Sequence, residues 1–430
     1  MKKRLAALLL SALMVFSVTA CNNGTTSSNL SSSESSIVSD AESGTDSKEE
    51  SKTEESSTPE TSVTESSKTE TSTPESSEAE TSVPETSETE TSAPESTTDA
   101  TTSKPETESP ETTTDSVKTE KPEEKPSVEA TGGFKVVGDT LYDANGNEFV
   151  MRGINHAHTW FRNNMDTALE GIAATGANTV RIVLSDGDQW TRIPVSEVKQ
   201  IIDKCKELKM IAVVEVHDGT GKDDVSYLNN AVDYWIEVKD ALIGNEAYVI
   251  LNIANEWYGS WDNLDKWAEG YKQAIPKLRA AGIKNTIMVD AAGWGQLSNS
   301  FIKYGQEVFA ADEQQNTMFS IHMYGTAGKN KSTINKAISG AILLDLCLVV
   351  GEFGHNHSDG DVDEATILSM SVEKNKGYIG WSWKGNGGGV EYLDIAKDWA
   401  GTTLSSDWGE VLINGKNGIR ETSKICSVFE

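Results

Sequence analysis

Eight short strand-like runs, regularly spaced between residues 149 and 384, constrain this chain more than any other feature of its sequence. They start 28 to 38 residues apart, so each interval has room for one helix. The runs at 248–256 and 346–353 are almost continuously apolar, as expected for strands buried on both faces of a parallel sheet. The predicted strands cover residues 149–155, 179–185, 211–218, 248–256, 286–292, 318–324, 346–353 and 378–384.

Eight alternations of strand and helix predict an α/β fold, a (β/α)8 TIM barrel. An open, doubly wound sheet is the alternative, but no glycine-rich phosphate loop follows the first run. Ahead of that run, Asp143-Ala-Asn-Gly146 separates short apolar segments and predicts a small hairpin with an Asn-Gly turn. In the interval after the second run, apolar residues recur at helical spacing: Val198, Ile201, Ile202, Cys205 and Leu208.

The first 21 residues have the pattern of a secretion signal. Three basic residues precede an apolar stretch from Leu5 to Val18. Val18-Thr-Ala-Cys21 resembles a bacterial lipobox, in which the cysteine is lipidated and becomes the mature N-terminus. Ordinary cleavage after Ala20 is the alternative. We therefore expect an extracellular protein that is held at the bacterial cell surface by a lipid on Cys21 and has no other membrane contact.

Residues 22–130 have the composition of a disordered linker. They contain eight of the ten prolines, no aromatic residue, and 27 acidic against 7 basic side chains. Such a tract cannot bury enough apolar surface to offset the entropy of the chain. The predicted organisation is a signal segment at 1–21, a Ser/Thr/Pro/Glu-rich linker at 22–130 and one folded domain at 131–430, expected to be a monomer.

Charge and cysteine content exclude several classes of function. The net charge of −30 consists of +3 in the first 21 residues, −20 in the linker and −13 in the folded domain. An acidic domain without basic clusters is not expected to bind nucleic acid. Cys205, Cys347 and Cys426 have no close spacing that would indicate a disulfide framework or a metal site, so we expect buried free thiols.

Polar side chains concentrate where the predicted strands end, and in a (β/α)8 barrel this face carries the active site. Glu256 and Glu352 end the fourth and seventh runs, where a carboxylate is costly unless the site uses it. Two carboxylates that meet there are the minimal set for glycoside hydrolysis. One protonates the leaving oxygen, and the other attacks or stabilises the anomeric carbon.

Other residues at the strand ends suit the same chemistry. Arg181 and Tyr324 could hold a nucleophilic carboxylate in its charged form. All eleven tryptophans lie beyond residue 131, and those in rim loops could stack on the apolar faces of sugar rings. Packing is an equal explanation for some of them, such as Trp235, Trp267 and Trp399. The candidate substrate-binding residues are His156, Arg181, His217, Asn255, Trp257, Trp294, His322, Tyr324 and Trp383.

A metal site is the competing interpretation of the histidines. His355-Asn-His357 precedes Asp359, Asp361 and Asp363, which resemble part of a calcium loop. The spacing does not complete an EF-hand. We therefore expect neither a catalytic metal nor another cofactor.

The motifs at the strand ends resemble glycoside hydrolase family 5, and within it the bacterial β-mannanases. The resemblance covers residues 134–430. It rests on RGINHAHTW at 152–160, ANTVRIVLSD at 177–186, IANEWYGSWD at 253–262, VDAAGWG at 289–295, SIHMY at 320–324, GEFGH at 351–355 and WSWKGN at 381–386. The glycines at 387–389 depart from the family pattern, which has a bulkier loop there.

The resemblance implies a retaining, double-displacement mechanism with Glu256 as acid/base and Glu352 as nucleophile. It also implies that Asn255 hydrogen-bonds the sugar 2-hydroxyl, which is axial in mannose. The further roles that it implies are support of the two glutamates by His322 and Tyr324, a place beneath the −1 subsite for Arg181 and His217, and a subsite floor formed by Trp383.

The activity implied is endo-acting cleavage of internal β-1,4-mannosidic bonds in mannan, glucomannan or galactomannan. An endo-β-1,4-glucanase (cellulase) on the same fold is the near alternative, because the catalytic set is shared. A non-catalytic surface protein that binds polysaccharide is the alternative of another class. The intact pair of carboxylates argues against it.

Overall fold

The computed structural model describes residues 128–430. The predicted signal segment, Cys21 and nearly all of the predicted linker lie outside the described residues. No helix within 128–430 is long and apolar enough to cross a membrane.

Eight parallel strands close into a barrel, which confirms the predicted (β/α)8 fold. Each of the eight predicted runs overlaps one barrel strand, and these are β3 to β9 and β12. Two short antiparallel pairs, β1–β2 and β10–β11, lie outside the barrel. The strands are β1 (Lys135–Val137), β2 (Thr140–Tyr142), β3 (Arg152–His156), β4 (Thr179–Leu184), β5 (Ile211–Val216), β6 (Val249–Asn252), β7 (Ile287–Asp290), β8 (Thr317–Met323), β9 (Leu348–Phe353), β10 (Asn356–His357), β11 (Gly360–Asp361) and β12 (Gly377–Gly380).

Each interval between consecutive barrel strands contains one α-helix, and two short helices follow the last strand. The helices are α1 (Met165–Ala174), α2 (Val195–Glu207), α3 (Val225–Glu237), α4 (Leu264–Ala280), α5 (Asn299–Ala310), α6 (Lys331–Ile342), α7 (Glu364–Glu373), α8 (Gly409–Asn414) and α9 (Ile419–Thr422). The stripe predicted for α2 is confirmed: Val198, Ile201, Ile202 and Cys205 are buried against the barrel, because their spacing puts them on one face.

The β1–β2 hairpin covers the N-terminal end of the barrel. Its apolar side chains join Met288, Met318 and other residues from the first positions of the strands in a second core cluster. The chain turns twice here. Gly138 and Asp139 join β1 to β2. The predicted turn at 143–146 follows, where Asp143 Oδ1 accepts from the backbone N–H of Asn145 and Gly146 has a φ of 82°.

The fourth and eighth barrel strands end earlier than predicted, at Asn252 and Gly380. The apolar residues Ile253 and Ala254 continue the sequence pattern but not the strand. Glu256 lies beyond them in a loop with a φ of 48°. The loop, rather than the strand, therefore sets the direction of this side chain.

The three cysteines of the described domain are free and buried, as predicted. Burial raises the pKa of each thiol to about 12. They therefore behave as small apolar side chains and are poor nucleophiles.

Candidate active site

Glu256 and Glu352 meet at the C-terminal face of the barrel. Glu256 lies in the loop after β6, and Glu352 is near the end of β9. Their exposed fractions are only 8% and 3%. One carboxylate oxygen of each lies within 4.8 Å of the other and of a ring nitrogen of His322. Retaining glycosidases have their carboxyl groups about 5–5.5 Å apart, whereas inverting enzymes need about 6.5–9.5 Å to fit a water.

Two donors hold the carboxylate of Glu352 from different sides. Arg181, on β4, donates from Nη1 to Oε1 at 2.7 Å. The Tyr324 hydroxyl, just after β8, donates to Oε2 at 2.8 Å. Burial, and then the negative charges of Glu352 and Glu256, raise the pKa of Tyr324 well above its usual value. The phenol therefore keeps the proton that it donates.

Arg181 is itself fully buried and held by three amide side chains. It donates to the side-chain oxygens of Asn155 at 3.0 Å, Asn252 at 2.9 Å and Asn255 at 2.7 Å. Burial disfavours its charge, but nearby carboxylates, first that of Glu215, raise its pKa above the usual value. A permanent cation is thus fixed below the two glutamates.

The electrostatic environment of Glu256 favours its neutral, protonated form. Burial, then the charge of Glu352, then that of Asp290, raise its pKa well above the usual value, and Arg181 only partly offsets them. Asp290 Oδ2 also accepts from the backbone N–H of Glu256 at 3.0 Å. A carboxyl that stays protonated towards neutral pH is what a general acid requires.

His322 lies between the two glutamates. Its Nδ1 is 2.8 Å from Glu256 Oε1 and 3.5 Å from Glu352 Oε2. Burial lowers the pKa of His322 to about 3, so the ring is neutral at pH 7. It can hold Glu256 by a hydrogen bond without supplying a permanent charge.

A hydrogen-bonded chain fixes Asn255 beside the pair. The amide nitrogen of Asn255 donates to Thr220 Oγ1 at 2.9 Å and lies 3.4 Å from His217 Nε2. His217 Nδ1 is 2.9 Å from Glu215 Oε1. Glu215 therefore favours a proton on Nδ1, which leaves Nε2 free to accept from Asn255.

The predicted place of Trp383 as the subsite floor disagrees with its full burial, whereas Trp381 lies at the site beside His217. The Trp381 indole stacks on His217 with ring centroids 5.8 Å apart and planes 23° apart. Trp383 is fully buried, in contact with Gly171 and Gly401, and its ring N–H donates to Trp399 O at 2.9 Å. Trp383 is therefore a core residue behind the active-site wall.

Two other predicted substrate-binding residues are also enclosed in the core. Trp257 is 1% exposed, packs against Gly270 and Tyr271, and donates its ring N–H to a backbone oxygen. His156 is fully buried beside His158 and Trp399, whereas its neighbour Asn155 faces the barrel interior. Neither side chain can contact a substrate, because each lies on the helix side of the wall.

Besides Trp381, the segments that follow barrel strands carry Trp160, Trp190, Trp261 and Trp294. Trp160 and Trp190 pack on His217 at centroid distances of 5.2 and 5.8 Å. On the Glu256 side, Trp294 and Trp261 are 45% and 40% exposed. Trp294 lies over Gly221, where an added Cβ would be 2.3 Å from its ring. The predicted role of Trp294 in binding stays a prediction.

Sequence reasoning missed Trp381 and Asn252 as site residues. Trp381 and Trp383 both follow the last predicted strand, and their spacing of two residues gives them the same apparent direction, so the sequence alone does not tell which one faces the site. Asn252 offered a usable signal: it is a polar residue inside an apolar run, in register with Glu215 on the neighbouring strand. A buried polar residue at that position needs a partner, and its partner is Arg181.

The loop compared with a calcium site forms a different structure. Asp359 accepts hydrogen bonds from neighbouring loops, and Asp363 caps α7. In the part of the chain that the structure describes, metal-ligating side chains converge only at Glu256, His322 and Glu352. These are the two candidate catalytic glutamates and the histidine between them. The expectation of no catalytic metal stays a prediction.

A family model described as cellulase, glycosyl hydrolase family 5, matches residues 142–387, which include every strand of the barrel and both glutamates. The chain belongs to glycoside hydrolase family 5.

The relatives of this family-5 chain include proteins named as mannan endo-1,4-β-mannosidases. The mannan endo-1,4-β-mannosidase of Salipaludibacillus agaradhaerens is 58% identical over 297 residues, which cover 69% of this chain and 96% of the relative. That of Streptomyces lividans is 45% identical over 307 residues, or 70% and 78% of the two proteins. The solved mannohexaose complex of Thermomonospora fusca β-mannanase is 44% identical, with a TM-score of 0.65, and covers 69% of this chain and 99% of that one.

Proposed function

We propose that this family-5 glycoside hydrolase is an endo-acting, retaining β-1,4-mannanase that cleaves internal bonds of mannan, glucomannan or galactomannan. The observation that carries the mechanism is the approach of one carboxylate oxygen of Glu256 to within 4.8 Å of one of Glu352, which agrees with the short carboxyl separation of retaining enzymes. The names of its relatives support mannan as the substrate.

In the first step, Glu256 gives its proton to the glycosidic oxygen while Glu352 attacks the anomeric carbon. The bond to the leaving sugar breaks as the covalent glycosyl–enzyme forms. The raised pKa keeps Glu256 protonated, so that it can donate this proton. Arg181 and Tyr324 hold the attacking carboxylate of Glu352 by hydrogen bonds.

In the second step, Glu256 is ionised and takes a proton from water. The water oxygen attacks the anomeric carbon on the face that the leaving sugar has vacated, and Glu352 departs with its electron pair. Two inversions give net retention of the β-configuration. Glu256 acts first as acid and then as base, because the proton that it gives to the leaving sugar is replaced by one from the attacking water.

The rim supports binding of a long chain rather than of its end alone. Trp160, Trp190 and Trp381 surround His217 on one side, and Trp261 and Trp294 are exposed beside Glu256. Because the general acid faces the leaving group, we assign Trp294 to the aglycone side. Asn255, fixed by Arg181 and Thr220, would contact the 2-hydroxyl of the sugar being cleaved.

The test uses purified residues 131–430 on glucomannan, galactomannan, linear mannan and carboxymethylcellulose. Release of short mannooligosaccharides from the mannans, and a β-anomer as first product by NMR, would support the proposal. A preference for carboxymethylcellulose would make the protein a cellulase. Binding without any cleavage would favour a non-catalytic polysaccharide-binding protein. An inactive 131–430 fragment beside an active full chain would refute the predicted domain boundary.

We also propose that the mature protein is a monomer tethered to the outer face of the bacterial cell through lipid on Cys21 and the acidic linker. This rests on the lipobox-like sequence and the composition of residues 22–130. Mass spectrometry of the N-terminal peptide would detect the lipid. A Cys21→Ala variant should appear in the culture medium or retain its signal, and a full-length wild type found free in the medium would contradict anchoring.

A further inference from the structure

The loop that follows Glu352 folds back over Tyr324. It forms the β10–β11 hairpin, which was not expected from the sequence. The hairpin packs closely against Gly325, where an added Cβ would be 2.4 Å from the backbone nitrogen of Gly360. The residues after β8 and after β9 are therefore in direct backbone contact, with no space for a side chain between them.

His357, on β10, stacks its imidazole on the Tyr324 ring. The ring centroids are 4.4 Å apart and the planes are 30° apart. The Tyr324 hydroxyl is the group that donates to Glu352 Oε2 at 2.8 Å. The histidine thus lies against the one aromatic ring whose hydroxyl contacts the nucleophile, and the two catalytic steps described above do not use it.

Asp359 holds His357 in this position. Its Oδ1 is 2.7 Å from His357 Nδ1 and accepts from the Gly325 N–H at 2.9 Å. Its Oδ2 accepts from Thr326 Oγ1 at 3.0 Å and from Gln296 Nε2 at 3.1 Å. Burial alone would raise its pKa, but hydrogen bonds from His357, Gln296 and Thr326 lower it below the usual value. One carboxylate therefore ties together three loops of the rim.

We propose that His357 and Asp359 are positioning residues that keep the Tyr324 hydroxyl on the nucleophile Glu352. A tyrosine next to an open cleft can swing about its side-chain bonds. The stacked imidazole occupies the space into which the ring would move, and Asp359 prevents the imidazole from leaving. This inference rests on the proposed role of Glu352 and adds two residues to the machinery that orients it.

The same geometry also leaves the edge of His357 accessible to a sugar, because its side chain is 20% exposed. The two roles differ in one respect. If His357 acts through Tyr324, its loss matters only while the Tyr324 hydroxyl is present. If it binds substrate, its loss matters regardless of Tyr324.

A double-mutant cycle separates these roles: His357→Ala, Tyr324→Phe and the double variant, assayed on a mannooligosaccharide and on an aryl β-mannobioside. His357→Ala should lower kcat/KM roughly ten- to a hundredfold, the range expected for a misplaced catalytic group. The burst rate of glycosyl–enzyme formation should fall in parallel, with little change in the KM for oligosaccharide. In the Tyr324→Phe background, the further loss should be less than about twofold. Full additivity of the two losses would overturn the proposal.

Conservative variants keep the test informative if His357→Ala folds poorly. His357→Phe retains a ring on Tyr324 and should recover most of the burst rate, whereas Asp359→Asn should lose part of it. A His357→Phe variant as slow as His357→Ala, although folded, would contradict a role in stacking. His355→Ala is the matched control, since His355 lies in the same loop near Glu364 and away from Tyr324. It should remain within about twofold of wild type. The cycle can be run on whichever glycan the wild type cleaves, so a wild type without mannanase activity would refute only the proposed substrate.

Discussion

One carboxylate oxygen of Glu256 lies within 4.8 Å of one of Glu352, yet the two carboxyl groups have different surroundings. Arg181 and Tyr324 donate hydrogen bonds to Glu352. In contrast, Glu256 lies 2.8 Å from His322 Nδ1, and the negative charge of Asp290 raises its pKa. The pair is chemically asymmetric although both members are buried glutamates. This asymmetry supports the proposed roles of Glu352 in nucleophilic attack and Glu256 in proton transfer, and it leads to measurable differences.

Glu256→Ala and Glu352→Ala should fail in different ways. On a dinitrophenyl glycoside, which needs no protonation, Glu256→Ala should show a burst and then stall because the base for the second step is missing. Added azide should restore turnover and yield a β-glycosyl azide. Glu352→Ala should lack the burst. The roles would be reversed if Glu352→Ala gave the β-azide and Glu256→Ala did not respond.

Asp290→Asn should move the alkaline limb of kcat/KM to lower pH. The general acid works while Glu256 is protonated, so activity falls as the pH rises through the pKa of Glu256. The negative charge of Asp290 helps to raise that pKa, and the neutral amide can still accept from the Glu256 N–H. Glu269→Gln, on the exposed side of α4, is the control and should leave the profile unchanged. A limb that stays in place would refute this electrostatic role of Asp290.

Trp381→Ala and Trp383→Ala should separate binding from stability. Loss of Trp381 should lower kcat/KM at least about tenfold, or ~1.4 kcal/mol of transition-state stabilisation, with little change in unfolding. Loss of the buried Trp383 should lower the free energy of unfolding by about 3–5 kcal/mol, because it leaves a large cavity. Denaturant unfolding and kinetics on one oligosaccharide check both. The assignment fails if Trp383→Ala is stable and Trp381→Ala keeps full activity.

Trp294→Ala should raise the KM for mannohexaose while an aryl mannobioside reacts at nearly the wild-type rate. The aryl group replaces the aglycone sugars that Trp294 would contact. Transfer of the glycosyl group to added mannooligosaccharide should also decline, because the acceptor uses the same surface. Trp190→Ala, on the His217 side, should impair both substrates. Equal losses for Trp294→Ala on both substrates would place this residue elsewhere.

Arg279 and Asp312 form a buried, bidentate ion pair that connects α4 to the loop after α5. Arg279→Ala would leave the Asp312 carboxylate unpaired and should cost about 3–5 kcal/mol of folding free energy. Lys272→Ala removes an exposed pair with Glu307 and should matter much less. Urea unfolding of both variants checks the contrast.

The same pair has a pH dependence. Burial by itself would raise the pKa of Asp312, but the hydrogen bonds and charge of Arg279, together with hydrogen bonds from Thr317 and the Asn316 backbone, lower the pKa below the usual value. The stabilisation is therefore complete above about pH 4, the pKa of an unfolded aspartate, and is lost as the pH falls through the folded value. Arg279→Ala should flatten this part of the stability profile. An unchanged acid limb would contradict the assignment.

The sequence by itself determined the barrel and its catalytic pair. Strand and helix are local patterns, so eight apolar runs with helical intervals were readable without any knowledge of contacts. The C-terminal ends of parallel barrel strands share one face, and this brings Glu256 and Glu352 together from distant positions. Arg181 and Tyr324 were also predictable as their partners, because a buried carboxylate requires donors at the same face.

Only the tertiary structure decided which aromatic residues face the cleft. Trp381 and Trp383 lie two residues apart in the same segment of the sequence. Trp383 is buried because Gly171 and Gly401, on other segments, leave space for its ring. Gly270 does the same for Trp257. Beyond a strand end the alternation of sides no longer holds, so packing against distant glycines sets the direction of each ring. The stacking of His357 on Tyr324 likewise depends on contact between two loops, so it cannot be predicted from the local sequence of either loop.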